Sequence, residues 1–160
     1  MRRLAAILHT LNDERRIGRC LETLYPCDEI LIVDEGSTDQ TVRIAREYGA
    51  SVIGPVNEQL PGGFAQASGA EWVLCLDPRE SLTEGLAASL FEWKSHRSSS
   101  TDAEAFCVFV REETATGWVE KQEAQPRLVP RNWQEWNGHW PSADGATFAL
   151  EGQVLRFLFP

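Results

Sequence analysis

The feature that most constrains this chain is an alternation of strand and helix patterns across residues 1–95. Short apolar runs predict four strands, at Leu4–Leu8, Glu29–Asp34, Ala50–Ile53 and Trp72–Leu76. Apolar residues at helical spacing follow the first, second and fourth runs. The second run is almost continuously apolar, as in a strand covered on both faces. The pattern predicts an α/β fold built on a parallel sheet.

Helix starts are indicated by polar residues that can satisfy free backbone amides. Asn12 or Asp13 can cap the first helix. Ser37–Gln40 and Ser81–Glu84 have the form of capping boxes and predict the starts of two more helices. Gly54–Gly69, with two prolines and four glycines, is predicted to be a loop with at most one turn of helix.

The pattern changes after Ser95–Glu104, a polar, serine-rich stretch predicted to be a surface loop or hinge. Four short strand patterns follow, without a strong helix between them: Ala105–Val110, Gln125–Val129, Ala146–Leu150 and Val154–Phe159. We therefore predict one domain over residues 1–160, with a β/α half at 1–95 and a smaller, mostly β half at 105–160.

Composition excludes several classes of protein. The 24 acidic against 15 basic residues give a net charge of −9, which disfavours a nucleic-acid partner. No apolar run approaches the ~20 residues of a membrane-spanning helix. The four cysteines lack a Cys-x-x-Cys pair, so we expect reduced thiols in a cytoplasmic protein. His9, His96 and His139 are too far apart in sequence for a local zinc motif, and no structural zinc site is predicted.

Acidic and amide side chains stand where the predicted strands end. Asn12 and Asp13 follow the first strand, Asp34 and Glu35 end the second, and Asp77 ends the fourth. Ligands of open parallel sheets bind at this edge. Such a cluster suits hydroxyls, the imino groups of bases or a hard cation such as Mg²⁺. The alternative is that the aspartates only cap turns, but their occurrence beside a Gly-Ser-Thr-Asp sequence favours a functional role.

Several ordered motifs in roughly the first 80 residues resemble the nucleotide-binding half of family-2 glycosyltransferases, especially those that add sugars to lipopolysaccharide core. The motifs are Thr10–Glu14, Cys20–Leu24, Asp28–Asp39 with Thr41, Tyr48–Ala50 and Trp72–Asp77. Two later segments, Pro126–Arg131 and Trp136–His139, are more weakly similar to the acceptor side of that family.

The resemblance implies a GT-A fold, a Rossmann-like α/β/α sandwich that binds a nucleotide-diphosphate sugar such as a UDP-sugar. The sugar would pass to a hydroxyl of a glycan or lipid-linked acceptor, in lipopolysaccharide or other cell-surface glycan synthesis. By position, the resemblance assigns Thr10, Leu11 and Asn12 to the nucleotide pocket, Asp34 to the base, and Asp77 to the Mg²⁺ or Mn²⁺ ion that neutralises the leaving diphosphate.

The chain departs from the family pattern at three places. Arg79 replaces the second aspartate of the Asp-x-Asp metal motif; a guanidinium there repels a metal but can contact a diphosphate. Gly62–Gly69 lacks the family's Arg-Asn pair. His139-Trp140-Pro141 stands where a carboxylate base is expected, which leaves His139, Glu135 and Asp144 as candidate bases.

Three tryptophans, Trp133, Trp136 and Trp140, surround His139 in the sequence. They can form an acceptor platform, because aromatic faces stack on sugar rings, or they can pin an irregular segment to the core.

Two functions stay open: a glycosyltransferase that uses Arg79 in partial place of the metal, and an inactive pseudo-glycosyltransferase that binds nucleotides or proteins. A phospho-acceptor receiver domain is set aside, because Lys94 and Lys121 lie away from the acidic edge.

Overall fold

The computed structural model describes residues 1–56, 60–96, 104–144 and 147–160. Its first strands are parallel and follow the order β3-β2-β1-β4. They are β1 Leu4–Thr10, β2 Glu29–Asp34, β3 Ser51–Ile53 and β4 Trp72–Leu76. Thr10 of β1 pairs with Asp34 of β2, so both strands end at the same edge. The predicted parallel sheet is confirmed.

The side chains of β1 explain why this strand is central. Leu4, Ala6 and Leu8 pack on one face of the sheet with helix residues, and Ala5 and Ile7 pack on the other. The helices are α1 Ile17–Glu22, α2 Thr41–Glu47 and α3 Glu84–Ser95. A short 3₁₀ helix, Gly63–Ala67, lies in the predicted glycine-rich loop, of which residues 57–59 lie outside the described part.

Seven later strands follow, and all but β9 and β10 extend the same sheet within the described ranges. They are β5 Glu80–Leu82, β6 Phe106–Thr114, β7 Gly117–Glu120, β8 Gln125–Pro130, β9 Trp136–Asn137, β10 Trp140–Pro141 and β11 Phe148–Arg156. Within the described ranges the order is β3-β2-β1-β4-β8-β6-β11-β5, with β7 beside β6. Strand β8 joins β4 in antiparallel fashion, and β9 and β10 form a separate hairpin.

The helix starts differ from the predicted ones. Thr83, not Ser81, caps α3: its hydroxyl accepts from the Leu86 N–H at 3.2 Å. Ser81 lies in β5, which forms because β11, some seventy residues later, pairs with it. Ser37 does not cap α2; its hydroxyl donates to Asp34 at 2.6 Å, because a carboxylate is the stronger acceptor.

The other two helix and strand corrections concern α1 and β11. Helix α1 begins at Ile17 without a side-chain cap, beyond both Asn12 and Asp13. The two strands predicted at the C-terminal end are one strand, β11, with a change of register between Ala149 and Gln153. Gly152 has φ +93°, and a Cβ there would lie 2.2 Å from the Leu86 amide nitrogen. Only glycine therefore allows β11 to bend against the start of α3. Residues 97–103 of the predicted hinge and Ala146 lie outside the described ranges.

A buried ionic network joins the two parts of the sheet. Glu80 is fully buried and accepts two hydrogen bonds from Arg127, at 2.8 and 2.9 Å, and two from Arg156, at 2.8 and 3.1 Å. Burial alone raises the pKa of Glu80, but the hydrogen bonds and charge of Arg127, with the charge of Arg156, hold it below its usual range. Glu80 also accepts from the Asp77 amide at 2.8 Å, so this network fixes the turn after β4.

Replacing Glu80 by glutamine tests this network. The Glu80→Gln variant leaves buried Arg127 and partly buried Arg156 without their shared anion, so we expect a loss of about 3 kcal/mol in the free energy of unfolding. Urea denaturation followed by tryptophan fluorescence measures it. Glu112→Gln is the matched control: Glu112 also contacts Arg156, at 3.6 Å, but is 32% exposed, and its loss should stay below about 1 kcal/mol. Equal losses would contradict the account.

Candidate functional site

The loops after β1 and β2 are tied together at the carboxyl edge of the sheet. Asp34 is buried, and its carboxylate accepts from the Thr10 hydroxyl at 2.7 Å and from the hydroxyl and amide of Ser37 at 2.6 and 2.8 Å. The Gly36 amide adds a further bond at 3.1 Å. Burial alone raises the pKa of Asp34, but these hydrogen bonds lower it. The oxygens of Asp34 are therefore engaged within the protein.

Asn12 holds the same two loops together from the other side. Its side-chain oxygen accepts a hydrogen bond from the Thr38 backbone N–H at 2.9 Å, and its backbone N–H donates to the Ser37 hydroxyl at 2.9 Å. Asn12 has φ +53°, a left-handed conformation that asparagine tolerates better than most residues. Its neighbour Leu11 is 56% exposed. The turn therefore presents Leu11 to solvent at the edge of the sheet.

A cavity of about 320 Å³ opens beside these loops. Its lining includes His9 and Val33 from the sheet, Glu35 from the end of β2, Phe64 from the 3₁₀ helix and His139 from the β9–β10 turn. Glu35 faces this cavity, whereas Asp34 is not part of its lining. The strand-end acid that reaches open space is thus the second of the pair.

Two histidines far apart in sequence meet in this cavity. The rings of His9 and His139 stack in parallel, with centroids 3.5 Å apart and an interplanar angle of 3°. The Phe64 ring lies perpendicular to the His9 ring, with centroids 4.5 Å apart. Neither ring nitrogen of His9 has a hydrogen-bond partner among the described residues, and Nδ1 lies 3.5 Å from Glu35 Oε1. Burial, helped by the nearby His139, lowers the pKa of His9 to about 3. His96, the third histidine, is exposed at the end of α3.

The chain's spacing gave no reason to expect this pair, because His139 arrives through the β9–β10 turn. One feature of the sequence pointed to a role for His9: it is a polar residue on the same face of β1 as the buried Ala5 and Ile7. A polar side chain at the carboxyl end of a buried strand indicates contact with a ligand or with another polar group.

Asp77 and Arg79 form an ion pair at the end of β4. Arg79 Nε lies 2.9 Å from Asp77 Oδ1, and Arg79 Nη2 lies 3.3 Å from Oδ2. Burial alone raises the pKa of Asp77, but hydrogen bonds from Arg79 lower it. Both carboxylate oxygens are thus covered by the guanidinium. A smaller cavity of about 140 Å³ reaches Asp77, and His9, His139 and Trp140 also line it.

The three candidate bases lie in different places. His139 lines both cavities. Glu135 is exposed in a separate surface depression, and Asp144 is exposed and lines neither cavity. Of the three, only His139 stands beside Asp77 and Glu35.

The tryptophans contact the protein in distinct ways. The indole N–H of Trp133 donates to the Ser142 carbonyl at 3.0 Å, and that of Trp136 donates to the Trp133 carbonyl at 2.7 Å. Trp136 also covers Gly62, where a Cβ would lie 2.1 Å from its indole nitrogen. These contacts suit packing. Trp140 stacks on the Arg127 guanidinium at 4.1 Å and also faces the smaller cavity.

Comparison with known proteins identifies the family of this chain. A model of the family described as "Glycosyl transferase family 2" matches residues 5–93, more than half of the chain. The chain belongs to glycosyltransferase family 2. The matched region contains the β1, β2 and β4 ends, and with them Thr10, Asp34 and Asp77.

Individual relatives agree with the family-2 assignment. An uncharacterized glycosyltransferase of Rickettsia typhi is 39% identical over 93 residues, covering 54% of this chain and 31% of that protein. The lipopolysaccharide core biosynthesis glycosyltransferase LpsC of Rhizobium meliloti is 47% identical over 45 residues, covering 28% of this chain and 17% of LpsC. These matches span less than a third of each relative's own length.

Solved structures confirm the predicted GT-A fold. TarS 1-349 of Staphylococcus aureus superimposes with a TM-score of 0.57 at 18% identity, covering 81% of this chain and 47% of TarS 1-349. Its complex with UDP gives 0.52 at 21% identity, covering 72% and 37%. In the described part of this family-2 chain the longest helix, α3, has 12 residues, and none qualifies as a membrane-spanning segment.

The lowered pKa of His9 makes stability depend on pH in a defined direction. Between pH 6.5 and about 3 the unfolded chain binds a proton at His9 that the folded chain does not, so stability falls as the pH falls. From pH 7 to pH 5, wild type should lose about 2 kcal/mol more than His9→Gln. Urea denaturation in EDTA measures both. His96→Gln, which removes the exposed histidine, should follow wild type; parallel curves for wild type and His9→Gln would refute the claim.

Proposed function

We propose that this chain binds a nucleoside diphosphate sugar, such as a UDP-sugar, across the carboxyl edge of its sheet. The observation that carries the proposal is that two adjoining cavities, both lined by His9 and His139, lead from Glu35 to Asp77. In such a donor the ribose separates the base from the diphosphate, so the two groups can occupy the two cavities. The family membership and the TarS–UDP likeness in fold support a donor of this class.

Each end of the proposed site has a chemically suited group. Glu35, whose side chain is 34% exposed at the larger cavity, can accept a hydrogen bond from the imino group of a base. Asp34, with its oxygens already engaged, would act indirectly by holding the Thr10–Asn12 turn. The exposed Leu11 on that turn can contact the base or ribose. Arg79, 43% exposed, offers a guanidinium to the diphosphate.

The residues present do not fit the Mg²⁺ or Mn²⁺ ion that the fold family implies. The guanidinium of Arg79 covers Asp77 and supplies positive charge where a second carboxylate would be needed. The next acid along the chain, Glu80, is buried and bound by Arg127 and Arg156. Hard cations need several oxygen ligands, and this turn offers none that is free. In this proposal Arg79 takes the charge-neutralising role.

Transfer of the sugar is the further step of the proposal. The acceptor, a hydroxyl of a glycan or lipid-linked sugar in cell-surface glycan synthesis, attacks the anomeric carbon as the bond to the diphosphate breaks. His139 is the base at the cavities, because the lone pair of its neutral ring lies in the ring plane and can take the hydroxyl proton while the ring face stays stacked on His9. The four free cysteines accord with the cytoplasmic location included in the proposal.

The second candidate is a pseudo-glycosyltransferase that binds donor nucleotides without turnover. Its support is the exposed position of Glu135 and Asp144 away from both cavities, so neither of these two candidate bases lies beside Asp77. Incubation with a panel of UDP-sugars separates the two: released UDP that requires His139 favours the transferase, and donor binding without release favours the pseudoenzyme.

Calorimetric titration with UDP, in EDTA and in Mn²⁺, tests the donor site. We expect binding in both buffers, and a loss of ~10-fold or more in affinity for Arg79→Gln, because a charge-assisted contact to the diphosphate is removed. Asp77→Asn should retain affinity, since it releases Arg79 from its partner. Arg43→Gln, on exposed α2, is the matched control.

The opposite pattern would contradict the proposal. If binding requires Mn²⁺ and disappears in Asp77→Asn, Asp77 holds a metal and Arg79 does not replace it. If UDP binds in neither buffer, the nucleotide site itself is refuted.

A further inference from the structure

The cluster of His9, Glu35 and His139 contains a buried histidine, His9, to which the proposed donor site assigns no role. One donor atom from each side chain lies within 4.8 Å of the other two. They come from three separate segments: the end of β1, the residue after β2 and the β9–β10 turn. Two imidazoles and a carboxylate form a ligand set for a late first-row divalent ion.

We propose that His9, Glu35 and His139 form a binding site for a transition-metal ion of the Zn²⁺ type, distinct from the Asp77 position. The first support is the state of His9. Both its ring nitrogens are shielded from solvent, yet they make no hydrogen bond to any residue in the described ranges. An unpartnered polar group of this kind is costly, and a metal ion would give it a partner.

The second support is that the cluster can close around an ion by side-chain motion. Tetrahedral ligand atoms at ~2.1 Å from a zinc ion lie about 3.4 Å from one another. The donor atoms of the three side chains lie within 4.8 Å of one another, so they would have to move together by little more than about 1 Å. The lone pairs of parallel rings run side by side, so one ring must tilt. His139 can do so, because it is exposed and lies in a two-residue turn after Gly138, whose φ is +62°.

The third support is the open side of the cluster. The three side chains all face the larger cavity, so a fourth coordination position is left for water or a ligand. Nitrogen donors select Zn²⁺-type ions over Mg²⁺. A bound metal would use the His139 lone pair that the proposed transfer requires, so the two roles of His139 are mutually exclusive.

The test uses the full chain, stripped with a chelator and free of nucleotide, titrated with Zn²⁺ by calorimetry and with Co²⁺ by visible absorption. We expect one ion per chain and a Co²⁺ spectrum without thiolate charge-transfer bands, because the proposed ligand set contains no cysteine. His139→Ala and Glu35→Gln should each lower affinity ~10-fold or more. Removing His96, which lies near Glu92 on α3, controls for surface binding and should change nothing.

Three results would overturn the site: no binding, unchanged binding in both His139→Ala and Glu35→Gln, or a thiolate spectrum. Both side chains are exposed enough that these variants should fold, and circular dichroism checks this. Because the probe is the metal alone, a failed UDP titration does not affect this result, and absent metal binding does not affect the donor proposal.

Discussion

The buried carboxylate of Glu80 is the contact on which the rest of this structure depends. Its two oxygens accept hydrogen bonds from Arg127 of β8 and Arg156 of β11. One side chain of β5 therefore connects this strand to β8 and β11. The same carboxylate accepts from the Asp77 amide. A buried anion needs such compensation, and the geometry that provides it also fixes the Asp77–Arg79 turn at the sheet edge.

That turn decides how the site can act. In the proposed donor site the Arg79 guanidinium takes the place of a metal-binding carboxylate, and this arrangement is self-consistent, because Arg79 has its own counterion in Asp77 two residues earlier. The positive charge stays at the place where a diphosphate would need it, without a hard cation. The site therefore combines family-type loops after β1 and β2 with an unusual electrostatic arrangement after β4.

Local sequence patterns were sufficient to predict the parallel sheet. Buried β1 and β2 follow from continuous apolar runs, and the acids at their ends follow from the shared direction of parallel strands. The engagement of Asp34 was also foreseeable in part, since an aspartate followed by serine three residues later commonly forms such a turn. Which of Asp34 and Glu35 faces the cavity depends on alternation at the strand end, which the sequence pattern alone did not resolve.

The features that the sequence did not predict depend on contacts between residues far apart in the chain. Ser81 became a strand residue because of its partner in β11, and the stacking of His9 on His139 depends on a hairpin turn 130 residues away. No local propensity encodes such pairings. The division of the chain at residues 95–105 stays a prediction, because residues 97–103 lie outside the described ranges.

In the proposed donor site Arg79, and not a metal at Asp77, contacts the donor diphosphate. A crystal structure of the chain grown with UDP and Mn²⁺ tests this directly. We expect the base to lie beside Glu35 and the diphosphate oxygens to lie within hydrogen-bond distance of the Arg79 guanidinium, with no Mn²⁺ on Asp77. A Mn²⁺ ion bridging Asp77 and the diphosphate, with Arg79 turned to solvent, would contradict it.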